Sequence, residues 1–278
     1  MTRAHVCYPG GASHVATLAG ADAALSSLID FAGVSGVSAG GLVAITRAFN
    51  IAAPRTQALV EDMLQDSRVL DISPFRLGDG GVCAWEVIPK AVDKLLGPGR
   101  TFRESHLPLC IVATNLDTGG PRYLSSWLTP EVKVREAARA TSAIPGIAPT
   151  VAIPSLGTSL SPDIRLHTDG GLTDNTCDDV FDDEEAPRIA LRLRGGNDLV
   201  RVRHGDNIGM AFAVFRAATW APSQLKSSRK DGLVIDLPAL GSGFNFDLTV
   251  DEIRARWRAG YDAVMTHAKA IAALKVHA

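Results

Sequence analysis

The sequence has no excess charge of either sign. Lys and Arg number 28 against 30 Asp and Glu, a net charge of −2, so the basic field that non-specific nucleic-acid binding requires is missing. Long apolar runs are missing as well. No stretch of about 18 apolar residues occurs and mean hydropathy is only +0.11, so no transmembrane segment is expected. Behind Arg3 there is no apolar h-region, and a secretory signal peptide is not expected. Cysteine is scarce: Cys7, Cys83, Cys110 and Cys177 lie far apart with no CxxC pair. That spacing argues against a disulfide framework or a zinc site and for a reducing, cytoplasmic setting. What is present is 278 residues, 46% of them hydrophobic. That is enough for a core without disulfides or metals, within the size range of one α/β domain.

The order of patterns is strand, helix, strand, helix. Val6-Cys7-Tyr8 reads as a buried strand ending at Pro9-Gly10-Gly11, and Ser13 is placed to cap a helix running to about Leu28. Phe31 to Val37 is apolar, and a helical pattern follows from Leu42 to Phe49. This βαβ order predicts an α/β fold, a three-layer α/β/α sandwich with a mostly parallel central sheet. Further helices are predicted at Arg55 to Gln65, Val87 to Leu96 and Glu131 to Ala140, and strands at Leu109–Thr114, near Arg122–Leu124, at Ile164–Thr168 and at Ile189–Leu193. Thr249 and Glu252 form a capping box for a last helix whose apolar face runs through Ile253, Trp257, Tyr261 and Val264. No linker divides the chain, so 1–278 is expected to be a single domain, with residues about 54–100 inserted as a helical or irregular cap. Val60, Met63, Leu64, Val69, Phe75 and Trp85 line that cap or its core.

Gly36-Val37-Ser38-Ala39-Gly40 matches G-x-S-x-G, the sharp strand-to-helix turn that lifts a serine hydroxyl clear of a sheet. Gly36 and Gly40 permit the close strand and helix approach, and the helix N-terminus lies beneath the serine. An ordinary glycine-rich turn with Ser38 as a helix cap would look the same locally. Ser38 comes too early for an ordinary α/β-hydrolase, and no histidine falls in a persuasive late loop: His204 begins a charged stretch and His267 lies within a helix. Asp169, at a strand end before Gly170 and Gly171, is the candidate general base. Asp79-Gly80-Gly81 repeats the tripeptide without a preceding strand and reads as a turn. Gly10, Gly11 and Ala12 end the first strand and can present bare N–H groups to an oxyanion.

These blocks, in this order, resemble the patatin-like phospholipase family. The likeness extends to Asn115-Leu116-Asp117-Thr118-Gly119, to Ala140-Thr141-Ser142-Ala143-Ile144-Pro145-Gly146, and to Asp174-Asn175 following Asp169-Gly170-Gly171. It spans roughly residues 5 to 180. The resemblance implies a Ser–Asp dyad acting on acyl lipids of the phospholipase A or lysophospholipase type. Ser38 would be the nucleophile, Asp169 its base, Gly10, Gly11 and Ala12 the oxyanion amides, with an acyl-enzyme intermediate and neither metal nor cofactor. The partner would be a lipid or membrane surface, met peripherally; a homo-oligomer is compatible with this. The chain departs from the family where Ala12-Ser13-His14 replaces its usual Arg or Lys after the glycines, and where Thr176-Cys177 replaces its usual Pro.

The remaining features read as structure. The acidic run Asp178, Asp179, Asp182, Asp183, Glu184 and Glu185 is expected to be a solvated loop, and so are the basic clusters Lys226, Arg229, Lys230 and Arg254, Arg256, Arg258. His14 is expected to face solvent, His167 to be a core histidine, and Cys177 to be packing rather than a nucleophile. Three alternatives stay open: a histidine-dependent serine esterase, a non-hydrolytic phosphate- or nucleotide-binding protein, and a catalytically impaired relative.

Overall fold

The structure is a computed structural model and describes residues 1–66, 81–155, 163–182, 184–195, 207–225 and 232–274. Val69, Phe75, Asp79, Gly80, Asp183, His204, Lys226, Arg229 and Lys230 lie outside the described residues.

Among the described residues, eight strands form one mixed sheet with helices on both faces. They are β1 (Thr2–Tyr8), β2 (Ile29–Val37), β3 (Leu109–Asn115), β4 (Gly120–Ser125), β5 (Val151–Ser155), β6 (Asp163–Asp169), β7 (Arg188–Gly195) and β8 (Gly232–Ala239). The order is β5-β6-β3-β2-β1-β7-β8, with β4 on β3. Pairings among β3, β2, β1, β7 and β8 are parallel; those of β4, β5 and β6 are antiparallel. The parallel strands are the near-continuous apolar runs, as burial on both faces requires.

One detail of register positions the site. Strand β4 occupies one edge of β3 from Cys110 to Asn115. The opposite edge is shared: β2 pairs with Leu109 to Val112 and β6 takes over at Ala113 to Asn115. Because β2 is parallel to β3 and β6 antiparallel, the two run toward each other. Val37, opposite Val112, and Asp169, opposite Ala113, are therefore the meeting ends.

The helices are α1 (Val15–Leu25), α2 (Ala39–Ala48), α3 (Ala53–Gln65), α4 (Val87–Leu96), α5 (Val134–Thr141), α6 (Asn207–Leu225), α7 (Val250–Thr266) and α8 (Ala268–Ala272). Every residue of α1 is buried; its small side chains let α7 and α2 pack closely on it. Several elements differ from the sequence expectation, and β5, β8, α6 and α8 have no counterpart in it. Ser13 does not cap α1: a 3₁₀ turn, Ala12–His14, precedes the helix, and the Ser13 hydroxyl donates to the Gly243 carbonyl at 2.6 Å. Helix α1 stops at Leu25, where Ser26 and Ser27 turn their hydroxyls back onto the carbonyls of Ala23 and Ala24. Helix α5 starts at Val134 rather than near Glu131, because the carbonyls of Pro130 and Val132 accept from Arg103 and Phe102 instead. The capping box of α7 is formed: the Glu252 N–H donates to Thr249 Oγ1 at 3.2 Å and the Thr249 N–H to Glu252 Oε2 at 2.8 Å.

Candidate active site

Two strand ends meeting along β3 would be only a junction without the sharp turns that follow each. Ser38 leaves β2 at φ 51, ψ −122, a conformation costly for a residue with a β-carbon. The turn closes because Gly40 brings its backbone against β1: a β-carbon there would lie 2.3 Å from the Tyr8 carbonyl oxygen. Gly36 lies directly beneath, against the Gly40 carbonyl. At the other end, Gly170 presses on Val112, where a β-carbon would be 2.2 Å from its carbonyl oxygen. Both strand ends are thus drawn onto the same residue of β3.

The outcome is direct contact. Ser38 Oγ donates to Asp169 Oδ2 at 2.8 Å, and the Gly171 N–H donates to Asp169 Oδ1 at 2.8 Å. Ser38 is 7% exposed and Asp169 fully buried. Burial pushes the Asp169 carboxyl up to about 7, although the hydrogen bonds from Gly171 and Ser38 pull the other way. No cation pairs with it among the described residues. A carboxylate so placed can take and return a proton near neutral pH.

One segment braces both groups. Thr141 Oγ1 accepts the Ser38 N–H at 2.7 Å and donates to the Val112 carbonyl at 2.5 Å. Two residues on, the Ala143 carbonyl accepts from the Asp169 N–H at 2.9 Å and from Thr168 Oγ1 at 2.5 Å. Between them, Ser142 Oγ accepts from Trp85 Nε1 at 3.2 Å. The sequence carried this segment as a resemblance, but nothing in it disclosed that Thr141 holds the serine backbone.

Gly10, Gly11 and Ala12 line a cavity of about 380 Å³ together with Ser38 and Asp169. The Gly10 N–H is already engaged, donating to the Asn175 carbonyl at 3.3 Å. The N–H groups of Gly11 and Ala12 make no hydrogen bond to another described residue, and Ala12 adopts a positive φ of 49 that turns the loop. Arg192 and Arg194 of β7 and Arg216 of α6 line the same cavity. On the other flank of Ser38, a narrow apolar channel of about 40 Å³ runs beneath α3 and α4, lined by Leu42, Leu64, Trp85, Val87, Ile88 and Phe246 among others.

Several expected placements change. His14 does not face solvent: it is 4% exposed and lines the cavity, and burial and the nearby Arg256 hold its imidazole down at about 4. Arg256 is buried rather than part of a solvated basic cluster, whereas Arg254 and Arg258 are exposed. Asp178 is buried too, accepting from Thr176 Oγ1 at 3.0 Å, so the acidic run is not wholly a solvated loop. His167 is a buried residue of β6, and burial lowers its imidazole. Burial pushes the Cys177 thiol far up, which suits packing and not nucleophilic attack. His267 ends α7 with its ring on the Ala263 carbonyl, away from the cavity.

The model of the family described as Patatin-like phospholipase matches residues 6–179, more than half of the chain. No curated protein matches the sequence. Among solved structures, VipD from Legionella pneumophila is similar at 14% identity and a TM-score of 0.55, covering 96% of this chain and 67% of VipD. The type III effector protein ExoU is similar at 15% identity and a TM-score of 0.50, covering 98% of this chain and 54% of ExoU. ExoU is also seen in a heterodimeric complex with SpcU from the type III secretion system of Pseudomonas aeruginosa, at 15% identity and a TM-score of 0.49, covering 98% of this chain and 52% of that one. The chain spans about two thirds of VipD and about half of ExoU. These likenesses concern the fold.

Proposed function

This chain belongs to the patatin-like phospholipase family, and from that premise we propose that it is a serine acyl hydrolase that cleaves carboxylic esters of lipids through Ser38 and Asp169. The observation that carries the reading is the 2.8 Å hydrogen bond from Ser38 Oγ to Asp169 Oδ2. In acylation, Ser38 Oγ attacks the ester carbonyl while its proton passes to Asp169. The tetrahedral oxyanion is held by the N–H groups of Gly11 and Ala12. Collapse breaks the ester C–O bond, Asp169 returns the proton to the departing alcohol, and the acyl group stays on Ser38. Water, deprotonated by Asp169, then attacks the acyl-enzyme; the carboxylic acid leaves and Ser38 regains its proton.

The two flanks of Ser38 support a lipid ester. The apolar channel would take the acyl chain and the larger, arginine-lined cavity the alcohol side. Of the expected cap, residues about 54–100, the described helices α3 and α4 would cover that channel, within a single hydrolase domain of 1–278. No helix among the described residues is long and apolar enough to cross a membrane, and the reading places the substrate at a lipid surface.

Labelling with a fluorophosphonate tests the reading. Wild type should take up one label on Ser38 and hydrolyse phospholipid or lysophospholipid, and Ser38→Ala should do neither. Turnover that survives in Ser38→Ala would remove the proposal.

A further inference from the structure

Helix α7 carries a buried charge that the mechanism above does not use. Arg256 is 4% exposed and forms no ion pair with any described residue; neutral groups hold its guanidinium. Nη1 donates to Ser13 Oγ at 2.8 Å and lies 3.5 Å from His14 Nδ1, and Nη2 donates to the Ser242 carbonyl at 3.3 Å. Glu252, one turn earlier, attracts the guanidinium through space without forming an ion pair, because its carboxylate is bonded within the Thr249 capping box. Burying a guanidinium without a carboxylate is costly, so the fold must draw something from it.

What Arg256 grips is the glycine loop. The N–H and hydroxyl of Ser13 both donate to the Gly243 carbonyl, at 2.8 and 2.6 Å. The His14 N–H donates to the Gly11 carbonyl at 2.9 Å. Gly243 approaches so closely that a β-carbon on it would lie 3.0 Å from the Gly11 carbonyl oxygen. Residues 10–14 and 242–243 thus form one unit with the guanidinium behind it, and Gly11, Ala12, His14 and Gly243 face the cavity that holds Ser38. The grip is stiff, because α7 meets α1 backbone to backbone. A β-carbon on Gly20 would lie 1.9 Å from the Trp257 carbonyl oxygen, and one on Gly260 would lie 1.9 Å from that of Thr17.

We propose that Arg256 is a positioning residue for the oxyanion loop: from α7 it fixes Ser13 and Ser242 so that the N–H groups of Gly11 and Ala12 face Ser38, and it keeps a positive charge behind the developing oxyanion. The inference rests on the hydrolase reading above.

The test compares Arg256→Met, Arg256→Lys and Ser13→Ala by steady-state turnover of a p-nitrophenyl acyl ester, thermal melting and hydrogen exchange. Arg256→Met should lower kcat about 100-fold, the loss typical of a disabled oxyanion donor, with KM changed less than about threefold. Arg256→Lys, which keeps the charge, should recover about tenfold of that loss. Exchange in Arg256→Met should rise in residues 10–14 but not in α2 or α5. A folded Arg256→Met with the kcat of wild type overturns the inference, and so does a Lys variant as impaired as Met. Should Arg256→Met fail to fold, Ser13→Ala decides. It should lower kcat about tenfold at constant KM, the low end for loss of a hydrogen bond to a charged group, and an unchanged kcat overturns the inference. Wild type without Ser38-dependent turnover overturns the hydrolase reading and this inference with it; normal wild-type turnover beside an indifferent Arg256→Met overturns the inference alone.

Discussion

Asp22 and Asp169 are the same side chain under nearly the same burial, 2% and 0% exposed, in regions built to opposite ends. Around Asp22, on α1, the charge is answered in full. Arg47 of α2 donates from Nε to Oδ1 at 3.0 Å and from Nη2 to Oδ2 at 2.6 Å, and the Tyr8 hydroxyl adds a bond of 2.5 Å. Arg47 also lies over the Phe31 ring, 4.5 Å from its centroid. That cluster ties β1, β2, α1 and α2 together. Around Asp169 there is, among the described residues, one N–H, one hydroxyl and no cation. The arginines repeat the contrast, since Arg47 has its carboxylate and Arg256 has only neutral acceptors. A buried charge held by its opposite serves as a fastener between elements. One without a paired opposite charge keeps free energy in reserve, and this fold holds Asp169 in the site cavity and Arg256 behind the loop that lines it.

Exchanging each carboxylate for an amide should separate the two roles. Asp169→Asn should cost about 10³-fold or more in kcat, as expected when a general base is removed, while the melting temperature at pH 8 stays at or above that of wild type. Asp22→Asn should do the reverse. It leaves the half-buried Arg47 without its partner, so stability should fall by about 2–3 kcal/mol in urea unfolding, and kcat of the folded fraction should stay within about twofold of wild type. The contrast breaks if Asp169→Asn retains turnover, or if Asp22→Asn is stable yet inactive.

Much of this site could be read from the sequence, and the rest was hidden for identifiable reasons. Ser38, Asp169 and the glycines beside them were legible because sharp turns at strand ends demand glycine locally, whatever the rest of the fold does. The encounter of β2 with β6 was not legible, because strand direction is decided by pairing with β3 and leaves no trace in the alternation of Ile164 to Thr168. Strand β5 contains Pro154, which an edge strand tolerates, and its short run gave no strand signal. Arg256 was misread as surface. Its burial comes from the approach of α7 to α1 at Gly20 and Gly260, contacts spanning the whole chain. Thr141 was visible only as part of a resemblance, since its task depends on Val112 and Ser38 arriving from distant strands.

The same contrast predicts how activity and stability follow pH. Asp169 must be ionised to receive the Ser38 proton, so kcat/KM should rise about tenfold per unit below a midpoint of about 7 and then level off. The sign for stability is opposite. In the folded protein Asp169 holds its proton up to about 7, against an unperturbed 3.8, so its contribution is complete below about 3.8 and is lost as pH rises through about 7. The steepest slope is about 1.4 kcal/mol per pH unit. Asp169→Asn should flatten that slope in unfolding experiments, and Asp22→Asn should leave it in place. A slope that persists in Asp169→Asn would assign the titration to another group.

The smallest expected effect lies on the apolar flank, where Asp22 serves as the control. Val87, at the start of α4, is half-buried and borders the channel that leads from Ser38. Val87→Ala widens the channel and Val87→Leu narrows it, each at little cost to a half-buried position. If α4 forms one wall of the acyl path, the two variants should move the preferred acyl length in opposite directions. Each methylene gained or lost should change relative kcat/KM about fourfold, because burying one contributes about 0.8 kcal/mol. Profiles over a series of p-nitrophenyl acyl esters measure this. Asp22→Asn should leave the profile unmoved, since its damage is to stability and reaches every chain length equally. Identical profiles for Val87→Ala and Val87→Leu would mean that acyl chains leave Ser38 by the larger cavity, and α3 and α4 would then cover core and not substrate.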